Sequence, residues 1–452
     1  MTYKKSSLYT LVSIFFFFGF VAASNNILIP TFKSYFGLTQ LRAQLVDFAF
    51  YVAYFVGSLI YLIYSARNGD FLNKIGYKKG LILGLSMSCV GALFFVPACI
   101  FTSYYMFLVA LFIIAFGFSL QQIVLNPFLL AMGNPDTGSH RINIAGSFNS
   151  FGTMIAPLIL SYVLFKDIHH TSELKDLNSL IPVALILFGF FLLAILVVHF
   201  STLPAIKQGE PIVTDFNIKN YPELILGIIA IFIYVGVEVT IGSNMGELLK
   251  NEYQIPENNI SLWVSLYWGS LMIGRWAGST EVFFEQSSFK KYIKFIAPFI
   301  AFAVIYLVNW VKGNQVSEIH VYLPFVLLAS IVYTFSGYKA SNNLLISSII
   351  GGLLCLIGLL YKSPYSLILF ISGGLYLSIM WPAIFEIATK RLGKYTNIGS
   401  SLLVMMIFGG ALIPLFQGYL SDQIGIFKSY WVPFFGFCYL AFYGYYAKSK
   451  SI

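Results

Sequence analysis

The chain has 452 residues, of which 58% are apolar, 18% aromatic and only 10% charged, and its mean hydropathy is +0.81. Soluble domains carry about 25% Asp, Glu, Lys and Arg, so a string of water-soluble domains is excluded. The formal charge of +9 sits in short clusters between long apolar runs. It makes no basic stripe on a soluble face, which argues against a nucleic-acid partner.

Residues 1–26 imitate a secretory signal, with Lys4-Lys5, an apolar stretch and Val21-Ala-Ala-Ser24. The apolar pattern runs on through Ile27-Leu-Ile-Pro30, too long for a signal core. A first membrane helix is the expected reading. Runs of about 20 apolar residues match a hydrocarbon core of roughly 30 Å at 1.5 Å per residue. Fourteen such runs follow one another at about 8–30, 45–65, 80–101, 103–133, 143–165, 180–200, 221–249, 260–284, 291–311, 319–336, 342–361, 364–389, 398–420 and 428–447. The polar stretch 201–220 divides six spans from eight. The expected domains are therefore a six-helix bundle over 1–200, a linker over 201–220 and a second bundle over 221–452.

Positive charge orients the chain. With both termini in the cytoplasm, 18 of the 27 lysines and arginines face inward and 8 outward, with Arg275 inside a span. Cys89, Cys99, Cys355 and Cys438 lie in or at the ends of apolar segments, with neither metal nor disulfide spacing. They read as small core residues. No phosphate-binding loop, nucleotide fingerprint or zinc motif is present. No bound cofactor or metal is expected, and any drive must come from a co-transported ion.

An internal repeat organises the polar spans. Asn126-Pro127 in the fourth span and Trp381-Pro382 in the twelfth are each followed, about thirty residues on, by a Gly-x-x-x-x-Pro-Leu motif. These motifs are Gly152 to Leu158 and Gly409 to Leu415. Parallel duplication with a midplane site between halves is how major facilitator carriers are built. A transporter is implied; a substrate is not.

Charges kept inside a membrane are costly and usually face a cavity, pair or work. Glu238 lies mid-span without a basic neighbour in sequence and is the leading coupling residue; Asp47, near a helix start, is the second. Arg275 is expected to pair with an acid or anchor a gate, and Glu386, near a span end, to be structural. Amides gather in the same spans at Asn26, Gln122, Asn126, Asn149, Asn244 and Gln417. Their donors and acceptors suit a neutral polyhydroxylated ligand. Trp268 and Trp381 offer faces for a sugar ring. For any single amide, interhelical hydrogen bonding at about 0.6 kcal/mol is the competing explanation.

The loop Gly69-Asp-Phe-Leu-Asn-Lys74-Ile-Gly76-Tyr-Lys-Lys79 resembles the cytoplasmic signature loop of the major facilitator superfamily. That resemblance implies a gating role for Lys74. The usual acid is replaced by Asn73 or displaced to Asp70, so a weakened latch is expected.

Asn25-Asn-Ile-Leu-Ile-Pro30, Gln122-x-x-x-Asn126-Pro-Phe128, Arg141-Ile-Asn143, Phe148-Asn-Ser-Phe-Gly152, Tyr234-Val-Gly-Val-Glu238, Trp268-Gly-x-x-x-Ile-Gly-Arg275 and Ser378-Ile-Met-Trp-Pro382 together resemble the fucose–galactose–glucose:proton symporter family. The Glu-bearing seventh span is closer to its glucose/galactose branch. The resemblance implies an all-α major facilitator fold of two six-helix bundles. It implies import of a neutral hexose across a bacterial inner membrane by a carrier expected to be a monomer in the bilayer. Twelve spans are usual there, so the surplus is expected to be a helical hairpin at about 285–340, inserted after the eighth span.

Where fucose-type members carry a first-span acid, this chain has Asn26, and an amide cannot cycle a proton at physiological pH. Coupling then falls to Glu238, or to Asp47. Protons are the expected ion, and sodium remains open because carboxylate and amide oxygens suit a hard cation. A sugar uniporter, a drug/proton antiporter and a non-transporting sugar receptor are the alternatives.

Overall fold

The computed structural model describes residues 5–38, 42, 45–133, 137–165, 176–203, 216–283, 289–337, 339–363 and 365–451. His169, His170 and most of the 201–220 linker lie outside them. Every regular element among the described residues is helical. The first half of the chain holds α1 (Lys5–Phe36), α2 (Leu45–Asn68), a short α3 (Phe71–Ile75), α4 (Tyr77–Ile100), α5 (Tyr104–Ala131), α6 (Gly138–Phe165) and α7 (Ile181–Phe200). The second half holds α8 (Pro222–Asn251), α9 (Glu257–Phe283), α10 (Lys290–Val311), α11 (Leu323–Phe335), α12 (Ala340–Leu360), α13 (Ser366–Leu377), α14 (Met380–Thr389), α15 (Thr396–Met405), α16 (Gly409–Ile424) and α17 (Trp431–Ser449).

Eleven stretches among the described residues are long and apolar enough to cross a membrane. The sequence suggests fourteen. The difference lies in α6, α9 and α17, which have the length but carry Ser, Asn, His and Arg, or a run of tyrosines, in place of aliphatic side chains.

The helices gather into two compact units, and these do not follow the chain in order. One comprises Met1–Gly133, Phe151–Asn217 and Leu392–Ile407; the other comprises Asn134–Ser150, Ile218–Arg391 and Phe408–Ile452. Each unit therefore takes in a short segment from the other half of the sequence. The exchanged segments hold corresponding places in the internal repeat, ahead of Gly152 and of Gly409.

The repeat glycines have a packing reason. A Cβ on Gly152 would lie 2.2 Å from the carbonyl oxygen of Phe16 in α1, and one on Gly409 would lie 1.9 Å from that of Phe232 in α8. In both units a helix approaches its neighbour's backbone at a point where no side chain fits. The repeat prolines also have a reason. Proline lacks an N–H, so the carbonyl four residues earlier loses its helical donor. Ile123 lies four residues before Pro127, and its freed carbonyl accepts from Ser400 Oγ at 3.3 Å. Ser378 lies four residues before Pro382, and its carbonyl accepts from Arg275 Nε at 3.4 Å.

Within the second unit, α10 and α11 lie where the sequence suggests an extra hairpin. They pack on α9 and α13, and two tyrosines pin them. The Tyr322 hydroxyl lies 2.8 Å from Ser270 Oγ, and the Tyr333 hydroxyl donates to the Leu375 carbonyl. Ile296, Ile300 and Leu307 are exposed on the outer face. Three cysteines are buried as expected, but Cys438 is exposed and free.

Candidate transport site

The second unit assembles a polar cluster around Glu238. This residue lies near the middle of α8, where an uncompensated carboxylate is costly. Sequence neighbours supply no base. One comes instead from 37 residues later: Arg275 Nη2 reaches Glu238 Oε1 at 3.4 Å, with the two side chains only 11% and 15% exposed. The rest of the guanidinium is also engaged. Nη1 donates to Ser150 Oγ at 2.8 Å, and Nε takes the Ser378 carbonyl that Pro382 releases. Arg275 is held by three elements at once, so its fork is fixed in place. Tyr267 adds a bond from its hydroxyl to the Glu238 carbonyl at 2.7 Å.

Aromatic and amide groups surround the pair. Tyr234, one turn before Glu238, is fully buried, and its ring centre is 6.2 Å from that of Trp381. Gly242, one turn after Glu238, lets Trp268 lie flush against α8: a Cβ there would come within 2.5 Å of the indole. Further along α8, Asn244 Nδ2 donates to Gln417 Oε1 at 2.6 Å. Gln417 is fully buried, and its own Nε2 has no protein acceptor. Asn149, beside Ser150, is half-buried. Six of the residues singled out from sequence (Glu238, Arg275, Asn244, Gln417, Trp268 and Trp381) thus form contacts on or beside α8.

The others divide differently. Gln122, Asn126, Asp47 and Lys74 belong to the first unit. Gln122 Nε2 donates to the Tyr54 hydroxyl at 3.3 Å. Asn126 is completely buried and neither amide atom has a protein partner. Asp47 is half-buried in the first turn of α2, where a helix N-terminus favours an acid. Asn26 lies on α1, and its side chain is outside the described residues. Lys74 is exposed and its ammonium bonds the Asn68 carbonyl within its own loop. Lys74 makes a local tie there.

In the signature loop, Asp70 is the acid that makes contacts. It caps α3 by accepting from Leu72 N at 2.8 Å and Asn73 N at 3.3 Å. It also accepts from the Tyr61 hydroxyl at 2.9 Å and from Asn397 Nδ2 at 2.9 Å. The Asn397 Oδ1 in turn accepts from Tyr77. Asp70 is therefore held by four neutral donors, with no base among these contacts.

Sequence reading misses Ser150 and Tyr54, which hold Arg275 and Gln122. Glu386 Oε2 accepts from the backbone N–H of Ser139, one of the donors left open at the start of α6. Ser150 lies inside the quoted Phe148–Gly152 motif and Tyr54 two turns after Asp47 on α2, but nothing local marks them. Among the described residues no group of three or more His, Cys, Asp or Glu is placed to hold a metal.

Comparisons with known proteins agree with this architecture. The family model described as Major Facilitator Superfamily matches residues 11–397. A glucose/galactose transporter of Brucella abortus biovar 1 (strain 9-941) is 30% identical over 444 residues, covering 97% of this chain and 93% of the relative. An L-fucose-proton symporter of Escherichia coli (strain K12) is 27% identical over 442 residues, covering 92% and 86%. The crystal structure of the transporter FucP in its outward conformation superposes with a TM-score of 0.74 at 24% identity, covering 97% of this chain and 98% of that one. The chain belongs to the major facilitator superfamily, a family of multi-pass membrane transporters and not of enzymes.

Proposed function

We propose that this protein imports a neutral hexose such as glucose or galactose across a bacterial inner membrane, by proton-coupled symport in an alternating-access cycle with both termini in the cytoplasm. The observation that carries the reading is the buried Glu238–Arg275 pair set among Trp268, Trp381, Asn244 and Gln417. The names of the relatives favour glucose or galactose. A proton taken up by Glu238 releases it from Arg275, and its loss restores the pair. Asp47 is the second acid proposed for coupling. Helix order supports fourteen spans, with α10 and α11 as the inserted hairpin on a two-bundle frame of 1–200 and 221–452.

The test is in proteoliposomes. Counterflow with labelled glucose outside and unlabelled hexose inside needs no ion gradient and identifies the substrate. Uptake driven by an inward proton gradient, or by a sodium gradient, then identifies the ion. No counterflow from folded protein would reject a glucose carrier.

One observation favours a second reading. Arg275 already balances Glu238, so the pair would also suit a uniporter, in which the carboxylate never titrates. Glu238→Gln then leaves gradient-independent transport intact, and wild-type protein does not accumulate sugar.

A further inference from the structure

A small cavity of about 20 Å³ lies in the second unit, lined by Ser139, His140 and Asn143 of α6, Lys294 of α10, Tyr333 of α11 and Asn343 of α12. Its position follows from two antiparallel helices. Gly146 of α6 faces Arg275 of α9, and Asn143, one turn back on α6, faces Gly278, one turn on along α9. One turn is about 5.4 Å. The cavity is therefore the next polar layer beyond the Glu238–Arg275 pair, toward the first turn of α6.

Three features equip it to pass protons. First, it is large enough for a water, which needs about 10–15 Å³ and two to four polar partners. Asn143 Oδ1 and Ser139 Oγ are buried there without protein partners. Second, a hydroxyl in its wall reaches toward the pair. Tyr333 lines the cavity, and its hydroxyl shares the Leu375 carbonyl as acceptor with Ser378 Oγ, on the residue whose carbonyl binds Arg275. Third, His140 has a defined tautomer. Its Nδ1 lies 3.0 Å from the Gly278 carbonyl oxygen, which can only accept. Nδ1 therefore carries a proton, and Nε2 is the nitrogen that gains and loses one.

We propose that this cavity is a water-filled proton relay with His140 Nε2 as its base, carrying the proton shed by Glu238 away from the sugar site. The inference rests on the proton-coupled reading above. In the step, the O–H bond of neutral Glu238 breaks and its carboxylate re-pairs with Arg275. The proton passes along water between the pair and the cavity, past the Tyr333 hydroxyl in the cavity wall, and an Nε2–H bond forms. Imidazolium then gives the proton to water on the far side, so one proton moves and nothing is oxidised. The charged and titratable groups lining the cavity beside His140 are Lys294 of α10 and Tyr333 of α11, and behind its wall lies Glu386 of α14, within electrostatic reach of Arg141 and Lys390. Glu386 is tied to the cavity wall through the Ser139 N–H. Chains of Asp, Glu and His inside membranes serve such relays.

The test separates exchange, which needs no proton release, from net uptake, which does. H140F in proteoliposomes is expected to keep sugar counterflow within about twofold of wild type, while proton-gradient-driven uptake falls about tenfold or more. Y333F, which keeps the ring and loses the hydroxyl, is expected to show the same split at smaller size and guards against a misfolded H140F. If either variant melts like wild type yet loses exchange and driven uptake in parallel, or loses neither, the relay is rejected. If wild-type protein exchanges sugar but ignores the proton gradient, the proton-coupled reading itself fails, a result distinct from failure of the variants alone.

Discussion

Asn397 Nδ2 donates to Asp70 Oδ2 at 2.9 Å, joining two residues 327 positions apart in the chain. The bond is buried, and Asp70 meets three further donors at Leu72 N, Asn73 N and Tyr61 Oη. One carboxylate therefore closes a loop, caps a helix and fastens the exchanged segment 392–407 in the first unit.

Asp70→Ala removes all of this. Loss of an N-cap costs about 0.5–2 kcal/mol, and each buried donor left unmade costs about 1–3 kcal/mol. A destabilisation of about 2–4 kcal/mol is expected, read as a fall in melting temperature in detergent. Asn73→Ala, at the position where the family carries its acid, is expected to cost under about 1 kcal/mol, since its buried side-chain amide has no partner to lose. Equal effects would mean that Asp70 is not the latch.

The Glu238–Arg275 pair predicts an asymmetry between single and double substitution. Arg275→Met leaves an uncompensated carboxylate and should cost about 3–5 kcal/mol. Adding Glu238→Gln removes the stranded charge and should recover most of that stability, measured by melting. The double variant should still fail to accumulate sugar, because the titrating group is gone. Restored accumulation would separate Glu238 from coupling.

Gln417 presents a buried amide N–H₂ without a protein acceptor, next to its bond with Asn244. If that amide donates to a sugar hydroxyl, Gln417→Leu should raise the half-saturating sugar concentration by about tenfold, the equivalent of about 1.4 kcal/mol, with little change in melting temperature. Trp268→Ala should weaken binding by a similar factor and Trp268→Phe by less, because a ring face remains. Unchanged sugar affinity in both would place the substrate elsewhere.

Gly274 tests the packing beside Arg275. A Cβ there would lie 1.8 Å from Ser378 Oγ and 2.7 Å from the Tyr333 hydroxyl. Gly274→Ala is expected to cost about 1–3 kcal/mol through overpacking. Pairing it with Ser378→Gly should relieve the clash and raise the melting temperature again. Failure of that rescue would show that α9 does not meet α13 so closely.

Much of the fold was legible because its signals are periodic or local. Apolar runs locate most helices, and proline and glycine spacing reveals the repeat that Gly152 and Gly409 then justify by backbone contact. Glu238 stands out because a charge in hydrocarbon needs a reason. Its partner was visible only as another lone charge: joining Arg275 to it takes the crossing of α8 and α9, which no local pattern encodes. The partners of Asp70 were hidden for a related reason. A loop motif is read by position, whereas a carboxylate acts through what its oxygens reach, and Asn397 lies in another half of the chain. Ser150, Tyr54 and Tyr333 are ordinary residues by type, and only their neighbours give them a role. The polar character of α6 and α9, which weakens them as spans, is what makes them useful around Arg275.

The exchanged segments have a consequence for biogenesis. Asp70 leaves the ribosome long before Asn397, and at about 5–20 residues per second the wait is on the order of 15–65 s. Through that interval the first unit is inserted but unfinished, with the Ile123 carbonyl freed by Pro127 and still without Ser400. The first six helices made as a separate fragment would lack both the Asn397 and the Ser400 contacts. Completion of the amino-terminal unit is set by the arrival of residues from near the carboxyl end.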